Sequence, residues 1–259
     1  MFSWLNRIRQ PDLHYSLNRE KLMDKVIHQA DQRGHSNHGW LKSYHSFSFA
    51  NYVNSNKTHF GALRVLNDDT VDIGRGFGMH PHQNMEIISI PLSGDLEHQD
   101  NMGNRPIIQK GDVQVMSAGT GIFHSEYNKN QDKEVQFLQI WVIPNKNNVE
   151  PRYDQISISS LKKRNQLYQI LSPTPADHGV WIYQDAWFHL GDFDKNKTQT
   201  YEIKKAGNGV YTFVIEGEVI ISGEKVESRD AIGIWNTQAI EISAESDCRF
   251  LVMDVPMIS

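Results

Sequence analysis

Two histidine-bearing segments constrain this chain more than anything else in it. The first runs Gly76-Phe77-Gly78-Met79-His80-Pro81-His82-Gln83-Asn84-Met85-Glu86, the second Ser117-Ala118-Gly119-Thr120-Gly121-Ile122-Phe123-His124-Ser125-Glu126. Residues two apart on a strand point to one face. His80 and His82 can therefore aim both imidazoles at one point, and His124 with Glu126 can do the same from a second strand. Imidazoles and a carboxylate without sulfur suit a divalent transition metal such as iron, nickel, copper or manganese. The pattern predicts a mononuclear metal centre inside a β-barrel, with His80, His82, His124 and Glu126 as its ligands.

Pro81 fits an edge position, because proline cannot donate to a ladder. Glu86 shares parity with His82, but four residues of continuous strand would carry it about 13 Å away at ~3.3 Å per residue. Its expected role is that of a buried carboxylate holding a ligand imidazole or a backbone group. Phe77, Met79, Phe123 and Trp141 are the candidates for a pocket wall.

From Leu63 onward the chain breaks into short apolar runs separated by Gly and Asn/Asp turns, which argues for a β-sandwich or barrel. Asn67-Asp68-Asp69 reads as one such turn, Ser93-Gly94-Asp95 and Lys110-Gly111-Asp112 as others. After Pro144 comes a polar linker, and a second series of strands then repeats the first. Glu216-Gly217-Glu218 stands where Ser93-Gly94-Asp95 stood, but no His-x-His or His-x-Glu accompanies it. The expected organisation is an extension over residues 1–22, a metal-binding barrel over 23–145 and a metal-free duplicate over 146–259. Within the extension, Trp4, Leu5 and Ile8 share one face of a short helical pattern. His35 and His38, in a Gly/Asn-rich loop, and the lone His178 and His189 read as ordinary histidines rather than ligands.

Composition narrows the partners. Net charge is −5 and no long basic run exists, which argues against nucleic acid. Cys248 is the single cysteine, so no internal disulfide is possible and a reducing cytoplasm is expected. No apolar run is long enough for a membrane span. A cytoplasmic monomer is the expectation.

The two segments resemble paired cupin motifs: glycine, His-x-His, Glu and Gly, then glycine, a turn, His and, four residues on, Asn128. They depart from the general cupin pattern in having Ser117 in place of proline and in the spacings Gly119 to His124 and His82 to Glu86. Those departures are what the pirin family shows. The resemblance extends from about residue 33 to 255, taking in Asn37-His38-Gly39-Trp40, Phe47-Ser48-Phe49-Ala50 and Gln139-Ile140-Trp141. It is greatest to bacterial pirin-like proteins described as quercetin 2,3-dioxygenases.

The resemblance implies an all-β bicupin fold of two face-to-face cupin barrels, with metal only in the N-terminal one. It places the family's ligands on His80, His82, His124 and Glu126. It also implies one metal per chain, with Fe(II) the usual ion and Ni, Cu, Mn, Co or Zn as alternatives. The implied reaction opens the heterocyclic ring of a flavonol such as quercetin with O2 and releases carbon monoxide. The metal would act as Lewis acid and template, and Glu126 would take the proton of the 3-hydroxyl. Two other classes stay open: an iron-binding redox sensor or transcription cofactor without catalysis, and a cupin isomerase or sugar-binding protein.

Overall fold

The computed structural model describes residues 23–257; the helical pattern of Trp4, Leu5 and Ile8 lies outside them. The described chain is almost entirely strand. It opens with β1 (Asp24–His28), β2 (Gly34–Asn37), β3 (Leu41–His45) and β4 (Leu63–Val71). The first histidine segment begins in β5 (Gly76–His82), followed by β6 (Glu86–Ser93), β7 (Leu96–Asp100) and β8 (Ile107–Ile108). Next come β9 (Asp112–Ser117), β10 (Ile122–Asn128), β11 (Val135–Val142) and β12 (Arg152–Ser157). The second half holds β13 (Leu167–Ser172), β14 (Val180–Trp181), β15 (Trp187–Phe193), β16 (Thr198–Glu202) and β17 (Asn208–Glu216). It closes with β18 (Glu218–Ile221), β19 (Glu224–Glu227), β20 (Ala231–Trp235), β21 (Ala239–Ala244) and β22 (Cys248–Pro256).

These strands form two barrels of one design. The first joins a sheet ordered β12-β9-β6-β11-β4-β3-β2 to a smaller one ordered β5-β10-β7-β8. The second joins β1-β20-β17-β22-β15-β13-β14 to β16-β21-β18-β19. The fold is the expected all-β bicupin. Sheet membership, however, does not follow a single cut near residue 145. β1 pairs with β20 of the second barrel, and β12, within the stretch expected to be a polar linker, pairs with β9 of the first. Each barrel thus borrows a strand from the other half of the chain.

The two large sheets pack against each other through one apolar layer. Ile88, Ile90, Leu138 and Ile140 of the first barrel share that layer with Phe188, Tyr211, Phe213 and Leu251 of the second. Burial of this kind stabilises by about 25 cal/mol per Å² of apolar surface, so the inter-barrel layer is the principal glue between the halves. The barrels differ inside. The second is filled by Val210, Val214, Val219, Ile232, Ile242 and Phe250 among others. The first encloses Ser89, Asn67, Asp69, His98, His124 and Glu126, all buried.

That polar interior corrects one expectation. Asn67-Asp68-Asp69 is not a turn but the middle of β4. Asn67 and Asp69 point inward, each 2% exposed. Asp68, between them, pairs with Arg33 at 3.3 Å and Arg229 at 3.2 Å. Turn-forming residues sit mid-strand here because they face a polar site inside the barrel, beside an apolar cluster of Leu41, Val71, Leu96, Ile108, Val135 and Phe137.

Candidate metal centre

β5 and β10 run antiparallel, with Ile122 opposite His82 and His124 opposite His80. Their rings converge: centroids lie 4.4 Å apart for His80–His124, 4.8 Å for His80–His82 and 4.9 Å for His82–His124. His80 Nδ1 lies 2.7 Å from the Gly78 carbonyl, so it carries the proton that donates there and leaves Nε2 free. Burial, reinforced by the neighbouring histidines, pushes His82 and His124 down to about 3. At neutral pH both are uncharged imidazoles with lone pairs available to a cation.

The ladder slips between His124 and Glu126, so that Glu126 stands opposite Phe77. The extra residue in β5 reverses strand parity. Phe77 therefore turns inward and packs edge-on against Trp40 at 5.6 Å. Gly76 at this bulge has no room for a side chain, since a Cβ would meet the Glu126 carbonyl at 2.1 Å. Met79 turns outward, 52% exposed, as does Phe123 at 50%. The expected pocket-wall role thus fits Phe77 and Trp141, which line the cavity described below, and not Met79 or Phe123.

Glu126 is buried and held on both oxygens: Ser89 Oγ donates to Oε1 at 3.0 Å and Gln139 Nε2 to Oε2 at 2.5 Å. A ligand atom of Glu126 lies within 4.8 Å of those of His98 and His124, and the His80, His82 and His124 set is equally compact. His98 and Asp100 were missed by the sequence reading, although His98-Gln99-Asp100 carries the same alternating signal as His80-Pro81-His82. His98 Nε2 lies 3.1 Å from Asp100 Oδ2, and Asp100 is fixed in turn by Asn104 and the Met102 N–H.

Of the two roles expected for buried Glu86, the structure shows the second, a carboxylate bonded to a backbone group, here that of Tyr183. Ser89 faces Glu126, so by parity Glu86 faces the opposite side of β6, along with Ile88 and Ile90 of the inter-barrel layer. Its carboxylate accepts from Ser117 Oγ at 2.6 Å. Burial pushes it up to about 7, against the pull of Ser117 and Arg152. Arg152 reaches across to the Trp181 carbonyl at 2.6 Å. Glu86 belongs to the junction between barrels and holds no ligand imidazole.

A cavity of about 550 Å³ opens above the histidines. His80 and His82 form part of its floor with Gln139, while Trp40, Phe49, Phe77 and Trp141 supply aromatic surface. Ser43, His45, Asn67 and Asp69 supply a polar side. His38, from the loop read as incidental, stands at the rim.

The residues present fit a divalent metal. Both nitrogens of His124 are buried without a hydrogen-bond partner among the described residues. Buried polar atoms are rarely left unpaired, and a bound cation satisfies such a nitrogen. Among the described residues, both clusters able to hold an ion lie in the first barrel. In the second, β21 carries Ile240 and Ile242 where β10 carries His124 and Glu126.

Fold and site together define a bicupin with a histidine- and carboxylate-lined centre in one barrel. Known proteins share this fold and give its family. Residues 26–142 match the Pirin family and residues 169–255 match the quercetinase C-terminal cupin domain. The chain belongs to the pirin family. It is 43% identical to the quercetin 2,3-dioxygenase of Escherichia coli (strain K12), covering 90% of this chain and 99% of that one. A pirin-like protein of Caulobacter vibrioides is 36% identical, over 86% and 96% of the two chains. The crystal structure of the bacterial pirin YhhW from Escherichia coli in complex with nickel(II) superposes with a TM-score of 0.86 at 41% identity, covering 91% of this chain and all of that one.

Proposed function

We propose that this protein is a metal-dependent dioxygenase that opens the heterocyclic ring of a flavonol with O2 and releases carbon monoxide. His80, His82, His124 and Glu126 hold one divalent transition metal per chain in this reading, Fe(II) or Ni(II) foremost. The observation that carries it is the convergence of three imidazoles, His80 and His82 on the floor of an aromatic-sided cavity and His124 buried against them. Such a cavity, mostly apolar with a few convergent polar groups, is the usual form of a small-molecule site. Two relatives' names, quercetin 2,3-dioxygenase and pirin-like protein, support the family chemistry.

When bound, the metal supplies Lewis acidity and a template that brings flavonol and O2 together. The protein supplies the rest. Trp141 and Phe49, set edge to face at 5.5 Å, give a planar ligand one ring face to stack on and one at right angles to abut. Glu126 lies one layer below the cavity floor, so the proton it accepts belongs to a group seated on the histidines rather than to one in the outer cavity. Ser89 and Gln139 fix the carboxylate's orientation for that transfer. The test is oxygen uptake by protein loaded with a single metal, with quercetin as substrate. Uptake that needs both metal and flavonol supports the reading; none with any flavonol refutes it.

A further inference from the structure

The cavity has two unlike sides, and only the aromatic one is accounted for by a planar ligand. The other is built by alternate residues of neighbouring strands. Asn67 on β4 stands opposite His45 on β3 and Gln139 on β11, while Asp69 stands opposite Ser43 and Phe137. Cross-strand pairing therefore puts Asn67, His45 and Gln139 in one row and Asp69 with Ser43 in the next.

Most polar atoms of this side are engaged by their neighbours, and two are conspicuously not. His45 Nδ1 meets Asn67 Oδ1 at 2.9 Å, and His45 Nε2 lies 3.3 Å from Ser36 Oγ. Ser43 Oγ donates to Asp69 Oδ1. Among the described residues no donor reaches Asp69 Oδ2, and no acceptor takes the Asn67 amide N–H groups. Neither atom is among those sealed from solvent without a partner, and both residues line the cavity. A buried carboxylate left short of donors is costly, and the cost persists only where something else supplies them. One free acceptor beside one free donor is what phenolic hydroxyls satisfy, since each can donate to a carboxylate and accept from an amide.

We propose that Asp69 and Asn67 form a recognition site for the ring hydroxyls of a planar polyphenol, with Asp69 the acceptor that separates hydroxylated from unhydroxylated rings. This rests on the flavonol reading above and narrows it to polyhydroxylated substrates. Asp69 and Asn67 meet the ligand from the polar wall of the cavity, and His45 and Ser43 hold the two recognition residues in place. A ligand without ring hydroxyls would strand the carboxylate against carbon, and sites built to hydrogen-bond a substrate hydroxyl reject analogues lacking it. Burial pushes Asp69 up to about 7, with Asp68 and Glu126 adding to the rise and Ser43 opposing it, so the acceptor role belongs to the ionised form that predominates above that pH, where the binding test is run.

The test is anaerobic titration of the nickel-loaded protein with two flavonols, followed by fluorescence quenching. Quercetin carries ring hydroxyls, while 3-hydroxyflavone has only the hydroxyl shared by all flavonols. Without O2 no turnover occurs, so binding is read apart from catalysis. The wild type should bind quercetin at least about tenfold more tightly, the scale of one hydrogen bond to a charged group. Asp69→Asn keeps the side chain's shape and its place beside Ser43. In that variant the preference should collapse towards unity, with the loss falling on quercetin and the nickel content unchanged. Asn67→Leu should weaken quercetin in the same sense. Equal binding of the two flavonols by the wild type, or an undiminished preference in Asp69→Asn, would overturn the proposal. A merely structural Asp69 would lower thermal stability without moving the ratio. Discriminating binding without any oxygen uptake once air is admitted would refute ring cleavage and leave the recognition site standing.

Discussion

His98 and Glu126 are direct cross-strand partners on β7 and β10, with His124 and Asp100 the next pair but one along the same ladder. The arrangement puts a carboxylate-anchored histidine, 5.3 Å ring to ring from His124, behind the metal-facing side chains. Asp100 sets which nitrogen of His98 carries the proton, much as outer carboxylates do for metal-bound histidines.

Asp100→Asn should therefore weaken metal affinity by roughly 10–100-fold while the barrels stay folded. Competition with a chelator measures the affinity, and thermal melting checks the fold. Unchanged affinity would show that the His98–Asp100 pair merely fills the barrel.

Glu86 faces the other barrel, so Glu86→Gln should leave metal affinity within about twofold and change stability by about 1–2 kcal/mol through Ser117 and Arg152. Chelator competition and denaturant unfolding separate the two effects. A tenfold loss of metal affinity would return Glu86 to the metal centre.

These two carboxylates show how much of the site could be read from sequence. Alternation brings His80, His82 and His124 together, because residues two apart on a strand share a face, and it sets Glu126 beside His124, where its near neighbour is His98. Glu86 and Phe77 defeat the same rule, whereas Met79, next to inward-facing His80, points outward as alternation requires. Glu86 lies beyond the break between β5 and β6, where the face is reset, and Phe77 beyond a bulge that reverses parity. Asn67 and Asp69 were hidden for another reason: polar residues inside a barrel look like turn residues until the interior is known to be polar. The strand exchange of β1 and β12 leaves no local mark at all, since it depends on which sheet edge a chain reaches.

His189, buried in the second barrel beside Tyr201, is pushed down to about 3 by burial and by Lys204. A histidine lowered on folding stabilises fully above its unfolded value near 6.5. That contribution is lost as pH falls from there towards 3, because only the unfolded chain takes the proton. His189→Phe should flatten the loss of stability between pH 6 and pH 4 by up to about 1.4 kcal/mol per pH unit. Denaturant midpoints across that range provide the check, and an unaltered slope would mean that other groups govern acid unfolding.

Glu126→Gln keeps an oxygen that can still coordinate but removes the carboxylate's basicity. The variant should keep much of its metal, still bind flavonol and lose turnover per bound metal by at least about a hundredfold, the lower end for a positioned general base. Stopped-flow absorbance with metal analysis on the same samples gives both numbers. Turnover per metal near that of the wild type would remove Glu126 from the proton step.

The most direct measurement is oxygen consumption by the wild-type protein, loaded with one equivalent of iron or nickel, when quercetin is added. One O2 should be consumed for each quercetin lost, with carbon monoxide released. His80→Ala, measured alongside, should fail to retain the metal and consume none. A fully loaded wild type that consumes no oxygen with quercetin or any related flavonol would contradict the dioxygenase assignment and leave a metal-binding sensor in its place.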